Sequence, residues 1–193
     1  MYKKIYLSGP EVFLFKAEKF GEKKKKLCDL YGFEGVFPLD NKLVFASDIP
    51  QERGLEIAAE NEKLIKSSDI LIANMTPFRG PSCDVGTAYE MGFARALKIP
   101  VFAYTNDSQL FLDRSLYALE NCHRVSEQHY VDDAGMTIEN FGLVDNLMLE
   151  GALTRPISTF SYSQDTYQDL LAFEQCLRNV LDYVNTQKIN ITP

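Results

Sequence analysis

Apolar and polar positions along the chain switch between two periods, and their order predicts a layered fold. Lys3–Ser8 (KKIYLS) is a short apolar-rich run followed by Gly9-Pro10, which reads as a buried strand ending in a turn. Phe13 to Tyr31 sets Phe13, Phe20, Leu27 and Leu30 among lysines and reads as a helix. Gly35–Pro38 reads as a second strand closed by Leu39-Asp40-Asn41, and residues 42–50 read as loop. Gln51 to Lys66 has helical spacing at Leu55, Ala58, Ala59, Leu64 and Ile65. Asp69–Asn74 (DILIAN) is the clearest buried strand, because its unbroken apolar run suits a parallel sheet covered on both faces. A loop from Met75 to Cys83 carries Pro77, Gly80 and Pro81; Asp84 then starts a helix to about Leu97, and Pro100–Tyr104 is a further strand. Past residue 105 the pattern weakens. Gln109–Leu119 and Ile138–Leu149 read as helical, and Tyr167–Val184 forms an amphipathic final helix of about residues 165–186.

The alternation β-α-β-α-β-α-β predicts an α/β fold: an open, mostly parallel sheet with helices on both faces and right-handed crossovers. One domain over residues 1–193 accounts for the length. Ligands of such sheets bind beyond the carboxyl ends of the strands. Gly9–Phe13, Pro38–Asn41 and Asn74–Asp84 each follow a strand, so all three are expected to face one crevice.

Composition narrows the partners. Twenty Lys and Arg against 27 Asp and Glu give a formal charge of −7, which argues against nucleic acid as a partner. A hydrophobic fraction of 46% is enough for a real core. Cys28, Cys83, Cys122 and Cys176 include no CxxC, and His123 and His129 lie near Cys122 alone, so no metal site is expected. Scattered free thiols suit a reducing, cytoplasmic setting. No segment approaches the ~20 apolar residues that span a bilayer, so no membrane is expected as a partner. Pro10 and Glu11 interrupt any signal-peptide core. Lys23–Lys26 fans out over a helical turn and reads as a solvated face.

Asp84-Val85-Gly86-Thr87-Ala88-Tyr89-Glu90 is the most informative stretch. An aspartate just before an apolar helix is a good N-cap. Glu90 sits among Ala88, Met91, Gly92, Phe93 and Ala94, so its carboxylate lies either at a helix edge or in a site. Gly86 and Gly92 suggest close approach of backbone or ligand. Tyr6 and Ser8 fall near the end of the first strand, where tyrosine packs well in a core. The SGP turn lacks both glycine-rich phosphate fingerprints, which weakens dinucleotide and ATP readings. Pro77–Pro81 reads either as an ordinary turn or as a rigid loop with Phe78 stacking on a flat ring.

Taken in order, Tyr6-Leu7-Ser8-Gly9-Pro10, Pro38-Leu39-Asp40-Asn41, Ser68-Asp69, Pro77-Phe78-Arg79-Gly80, Asp84-x-Gly-Thr-x-x-Glu90-x-Gly92 and Asn146-Leu147-Met148 resemble the nucleoside 2-deoxyribosyltransferases. The ordered set spans residues 5 to 149. The resemblance implies a flavodoxin-like sheet, a homo-oligomer with shared sites, deoxynucleosides and free nucleobases as substrates, and no cofactor. It implies Glu90 as nucleophile, Tyr6 as the hydroxyl that positions it, and Asp84 as the carboxylate on the sugar hydroxyls. It adds Gly9 and Phe78 to the substrate-binding set. Asn146 would be supplied by a neighbouring subunit to the sugar 5′-hydroxyl, with Met148 beside it. Two departures stand out. Asn61 occupies the place of an aspartate thought to protonate the leaving base; an amide hydrogen-bonds but gives up no proton. The chain also continues past the last expected strand in a helix-like tail to Pro193.

The chemistry implied is a retaining double displacement through a covalent glycosyl-carboxylate. Two rivals share the fold. An N-glycosidase would pass the sugar to water and would favour a phosphate-binding first loop. A non-catalytic nucleotide sensor would not need Tyr6, Asp84 and Glu90 together.

Overall fold

The computed structural model describes residues 4–41, 43–119, 121–159 and 165–189. Lys3, at the start of the expected first strand, and the end of the tail at Pro193 lie outside the described residues. The strands are β1 (Lys4–Ser8), β2 (Glu34–Val36), β3 (Ile70–Asn74), β4 (Val101–Thr105), β5 (His123–Ser126), β6 (His129–Val131), β7 (Thr137–Ile138) and β8 (Ser158–Thr159). The helices are α1 (Ala17–Leu30), α2 (Pro50–Lys66), α3 (Val85–Ala96), α4 (Phe111–Ala118), α5 (Leu147–Gly151) and α6 (Leu171–Ile189).

The central sheet has the order β2-β1-β3-β4-β8, with every pairing parallel. Period-two alternation sorts its side chains into two cores. Ile5 and Leu7 join Ile70, Ile72, Phe102 and Tyr104 on one face, packed against α1 and α6. Tyr6 joins Leu71, Ala73, Val101 and Ala103 on the other, packed against α2 and α3. Both faces are covered, which is why DILIAN reads as unbroken apolar sequence. The C-terminal helix is thus an integral layer: Phe173, Leu177, Val180 and Val184 follow a helical stripe into the first core. Burying each such side chain contributes about 1.5–3 kcal/mol.

The chain leaves β1 for β2 on one side and returns to β3 on the other. The order of strands therefore reverses between β1 and β3, and a crevice opens beyond their carboxyl ends. Gly9 follows β1 there. A Cβ on it would lie 2.0 Å from Glu11 Oε2 and 2.8 Å from the Asn74 Cβ, so only glycine fits the turn.

Several boundaries differ from expectation. The first helix begins at Ala17, because Pro10–Phe13 forms a separate 3-10 turn. The expected helix over 138–149 is absent: Thr137–Ile138 is a strand, Gly142 takes a left-handed φ of 68°, and only Leu147–Gly151 is helical. The last helix runs later than 165–186, at Leu171–Ile189, where Asp169 Oδ1 accepts the Leu171 N–H at 2.8 Å. The small antiparallel sheet β5-β6-β7 has exposed residues throughout β5 and leaves no apolar alternation to read. All four cysteines are free. Burial pushes the thiols of Cys28, Cys83 and Cys176 up to about 12. No helix among the described residues is long and apolar enough to cross a membrane.

The lysine run is not a uniformly solvated face. Lys24 falls on the buried stripe of α1 with Ala17, Phe20, Gly21 and Cys28. Its Nζ lies 2.8 Å from Glu11 Oε1, and both side chains are 0% exposed. Tyr104 donates to the same oxygen at 2.7 Å, and the ammonium sits 4.8 Å from the Phe173 ring centre. Removing one member of a buried pair leaves the other uncompensated and costs about 3–5 kcal/mol. Lys24→Met should therefore lose that much in urea unfolding, while Lys23→Met, on the exposed side, should lose less than about 0.5 kcal/mol. Equal losses would return Lys24 to the solvent-facing role expected from the lysine run.

Candidate active site

Asp84 caps α3: its Oδ2 accepts the Thr87 N–H at 2.9 Å and the Thr87 hydroxyl at 3.3 Å. The cap fixes where the helix starts, and so which way Glu90 points six residues on. Thr87, Met91 and Ala94 form the buried stripe of α3, and Glu90 enters on the same side. It meets β1. Tyr6 and Ser8, two residues apart, share the strand face turned toward α3. The Tyr6 hydroxyl donates to Glu90 Oε1 at 2.7 Å, and the Ser8 hydroxyl donates to Oε2 at 2.5 Å. Each carboxylate oxygen thus has its own donor, and both donors are wholly buried.

The electrostatics follow from this setting. Burial raises the Glu90 carboxyl above its ordinary value; the Ser8 and Tyr6 hydrogen bonds pull it back down, and the negative Asp84 adds to the rise. Burial, with the Glu90 carboxylate beside it, pushes the Tyr6 phenol far up. Tyr6 is therefore a fixed hydrogen-bond donor across the working pH range. Asp84 is half-buried, and a carboxylate has about four acceptor positions, so capping leaves capacity for a ligand hydroxyl.

The loop from Met75 to Asp84 is tied down from several sides. Asn74 Oδ1 accepts from the Thr76 N–H at 2.9 Å, Tyr167 donates to the Pro77 carbonyl at 2.7 Å, and Arg114 Nε donates to the Pro81 carbonyl at 2.8 Å. Buried Asp145 accepts from the Ser82 hydroxyl at 2.5 Å and from the Cys83 N–H at 2.9 Å, with Arg114 3.9 Å away. The carboxylate of Asp145 thus anchors the residue immediately before Asp84.

Of the residues singled out from sequence, Tyr6, Asp84 and Glu90 come together. Gly9 lies at the crevice mouth, where its own turn already requires glycine. Phe78 stacks on Phe13 at 5.2 Å and meets Tyr167 edge-on, while the Arg79 guanidinium sits 4.6 Å from its ring centre. Asn61 is half-buried on α2, beside Glu62, which accepts from the Tyr89 hydroxyl at 2.6 Å and draws α2 against α3. The two hydrogen-bond donors on Glu90 are Tyr6 and Ser8; Asn61 is not one of them. Asn146 caps α5, accepting the Met148 N–H at 2.9 Å and donating to Glu139 at 2.6 Å. Leu149 packs on the core below α3, leaving Leu147 and Met148 outward. A Cβ on Gly86 would approach Asp84 Oδ2 at 3.0 Å, whereas one on Gly92 would meet open space.

Two residues of the site, Ser8 and Asp145, have no role that the sequence alone assigns. Ser8 was reachable from strand periodicity, since whatever faces α3 at Tyr6 does so again two residues later. Asp145 was reachable as a lone carboxylate within the apolar stretch Gly142–Leu149.

The family model described as nucleoside 2-deoxyribosyltransferase matches residues 5–148. An uncharacterized protein of Schizosaccharomyces pombe is 27% identical over 194 residues, covering 95% of this chain and 90% of its own length. Among solved structures, a 2-desoxiribosyltransferase from Leishmania mexicana superposes with a TM-score of 0.64 at 26% identity, covering 94% of this chain and 98% of that one. A conserved protein from Enterococcus faecalis shares the fold, with a TM-score of 0.51 at 23% identity over 93% of this chain and 99% of its own.

The raised carboxyl of Glu90 makes a prediction about stability. The folded state holds this proton more tightly than the unfolded chain does. Its stabilising contribution is thus fullest below the unfolded pKa and is lost as pH rises through the folded one. Glu90→Gln does not titrate, so its stability relative to wild type should climb over the range in which pH rises above about 4. Urea unfolding of both proteins across that range measures the difference; a constant gap would mean that burial does not perturb Glu90.

Proposed function

Because the chain belongs to the nucleoside 2-deoxyribosyltransferase family, we propose that it transfers 2-deoxyribose between nucleobases through a deoxyribosyl ester on Glu90. The observation that carries this reading is the Glu90 carboxylate, held by Tyr6 and Ser8 and adjoined by Asp84 at the sheet's switch point. The likeness to the Leishmania mexicana enzyme over nearly the full length supports it.

The chemistry runs in two displacements. The carboxylate attacks C1′ from the face opposite the base. The bond from C1′ to nitrogen breaks, and its electron pair leaves with the base, which takes up a proton. Positive charge develops on the sugar ring as that bond loosens, and a half-buried carboxylate answers it where water is partly excluded. A second base then attacks C1′ from the vacated face, the ester bond breaks, Glu90 regains its charge, and the incoming base loses its proton. Two inversions give net retention. Tyr6 steadies the carboxylate, Asp84 accepts from the sugar hydroxyls, and Asn61 hydrogen-bonds the leaving base. Phe78 and Gly9 line the base and sugar side of the crevice.

Incubation with a deoxynucleoside, with and without a second base, tests the reading. A new nucleoside is the expected product. Free sugar would indicate a hydrolase, and no turnover a binding protein. Glu90→Ala should cost several powers of ten, each about 1.4 kcal/mol of barrier, in a protein that still folds; activity within about tenfold of wild type would remove Glu90 from the mechanism. In the same assay Asn61→Asp should add an acidic limb to the pH–rate profile, and an unaltered profile would take Asn61 out of the site.

The active unit is a homo-oligomer in which Asn146 of a neighbouring subunit reaches the 5′-hydroxyl of the sugar, with Met148 beside it. Met148 is 72% exposed and Leu147 39%, on either side of what an isologous contact would cover. The bond from Asn146 to Glu139 fixes the direction of its amide. Mixing inactive Glu90→Ala with inactive Asn146→Ala subunits should restore activity, because some sites then hold both wild-type residues. Subunits that exchange without recovery would contradict the shared site.

A further inference from the structure

Glu90 has a second hydrogen-bond donor, Ser8, to which neither the pattern of the chain nor the family resemblance gives a role. We infer that Ser8 is a positioning residue for Glu90: its hydroxyl clamps the second carboxylate oxygen, fixing the plane of the group and stabilising its charged form. The inference rests on the transfer reading of Glu90.

The geometry supports the role. Residues two apart on a strand are separated by about 6.6 Å along it, yet both donors reach a single carboxylate. The long phenol of Tyr6 and the short hydroxymethyl of Ser8 close that gap from opposite sides, at 2.7 and 2.5 Å. One donor would leave the carboxylate free to turn about its last bond; two donors on different oxygens do not. Position 8 also needs a side chain that brings an uncharged donor. Ser8 is fully buried, pairs in register with Ala73 on β3, and is followed by the enclosed Gly9. Alanine there would leave Oε2 without this donor, and aspartate would set a second negative charge against Glu90.

The groups acting on Glu90 are few. Tyr6 and Ser8 face it from β1, and Asp84 opposes its charge from the start of α3. From α2, Glu62 is committed to Tyr89 and Lys66. Near α5, Glu150 accepts backbone N–H groups of Val144 and Asp145, and Asp145 accepts from Ser82 and Cys83. β3 contributes Ile70–Asn74, without an ionisable side chain, and the one on β4, Tyr104, points to Glu11 on the far face. Among the described residues the balance at Glu90 is therefore two hydroxyl donors against burial and one like charge. Removing Ser8 removes the larger of the two hydrogen-bond contributions that favour the ionised form.

Two measurements test this. In protein labelled with carboxyl-13C glutamate, the Glu90 resonance, assigned by its loss in Glu90→Gln, is titrated without substrate. Ser8→Ala should raise its midpoint by about one to two pH units, while Ser8→Thr, which keeps the hydroxyl, should stay near wild type. The acidic limb of kcat/KM for base exchange should move upward by the same amount in Ser8→Ala, so that the loss is about tenfold or more below the limb and shrinks above it. A midpoint that does not move in Ser8→Ala, or moves equally in Ser8→Thr, overturns the clamp. A wild-type chain that exchanges no base overturns the transfer reading instead, and the titration still decides the hold of Ser8 on Glu90.

Discussion

A carboxylate set into the covered face of a parallel sheet is expensive unless its charge is met, and the meeting of Glu90 with Tyr6 and Ser8 constrains much of the molecule. Both donors come from one face of β1, so β1 must lie inside the sheet with that face turned toward α3. The register that puts Tyr6 beside Leu71 and Ser8 beside Ala73 brings both hydroxyls within reach of α3, which packs on β3 and β4. The Asp84 cap and the Asp145 anchor then set the start of α3, which sets the height of Glu90. Displacing any one of these would leave a half-buried charge without its donors.

The opposite face of the sheet holds a second buried charge. Lys24 and Tyr104 both meet Glu11 Oε1 behind the turn that follows β1, and Glu11 also crowds Gly9. The carboxyl end of β1 is thus fixed from both sides. On one side an ion pair is neutralised within the core. On the other a carboxylate faces the crevice with hydroxyl donors and no cation among its partners. The first arrangement offers stability; the second leaves a negative group available to answer positive charge that develops on a ligand.

How much of this could be read from the chain depends on how local the cause is. The parallel sheet and its crevice were legible because buried strands such as DILIAN and the capped helix after Asp84 leave patterns within ten residues. Glu90 stood out because a carboxylate among alanine, methionine and glycine breaks the pattern of a packed helix. Lys24 was misread for the opposite reason: a run of four lysines resembles a solvated face, and only the distant Glu11 and Tyr104 reveal which one turns inward. Ser8, Asp145 and the engagement of Asn146 with Glu139 depend likewise on partners far along the chain or on loop geometry. The stretch 138–149 looked helical by composition, but Gly142 and the Asn146 cap divide it.

The most direct test of a covalent role for Glu90 is to catch the intermediate. A deoxynucleoside is mixed with the protein without an acceptor base, the mixture is quenched in acid, and the peptides are mapped by mass spectrometry. The account predicts a deoxyribosyl adduct on the peptide bearing Glu90, discharged when a second base is added before the quench. Full base exchange with the adduct on another residue would contradict it.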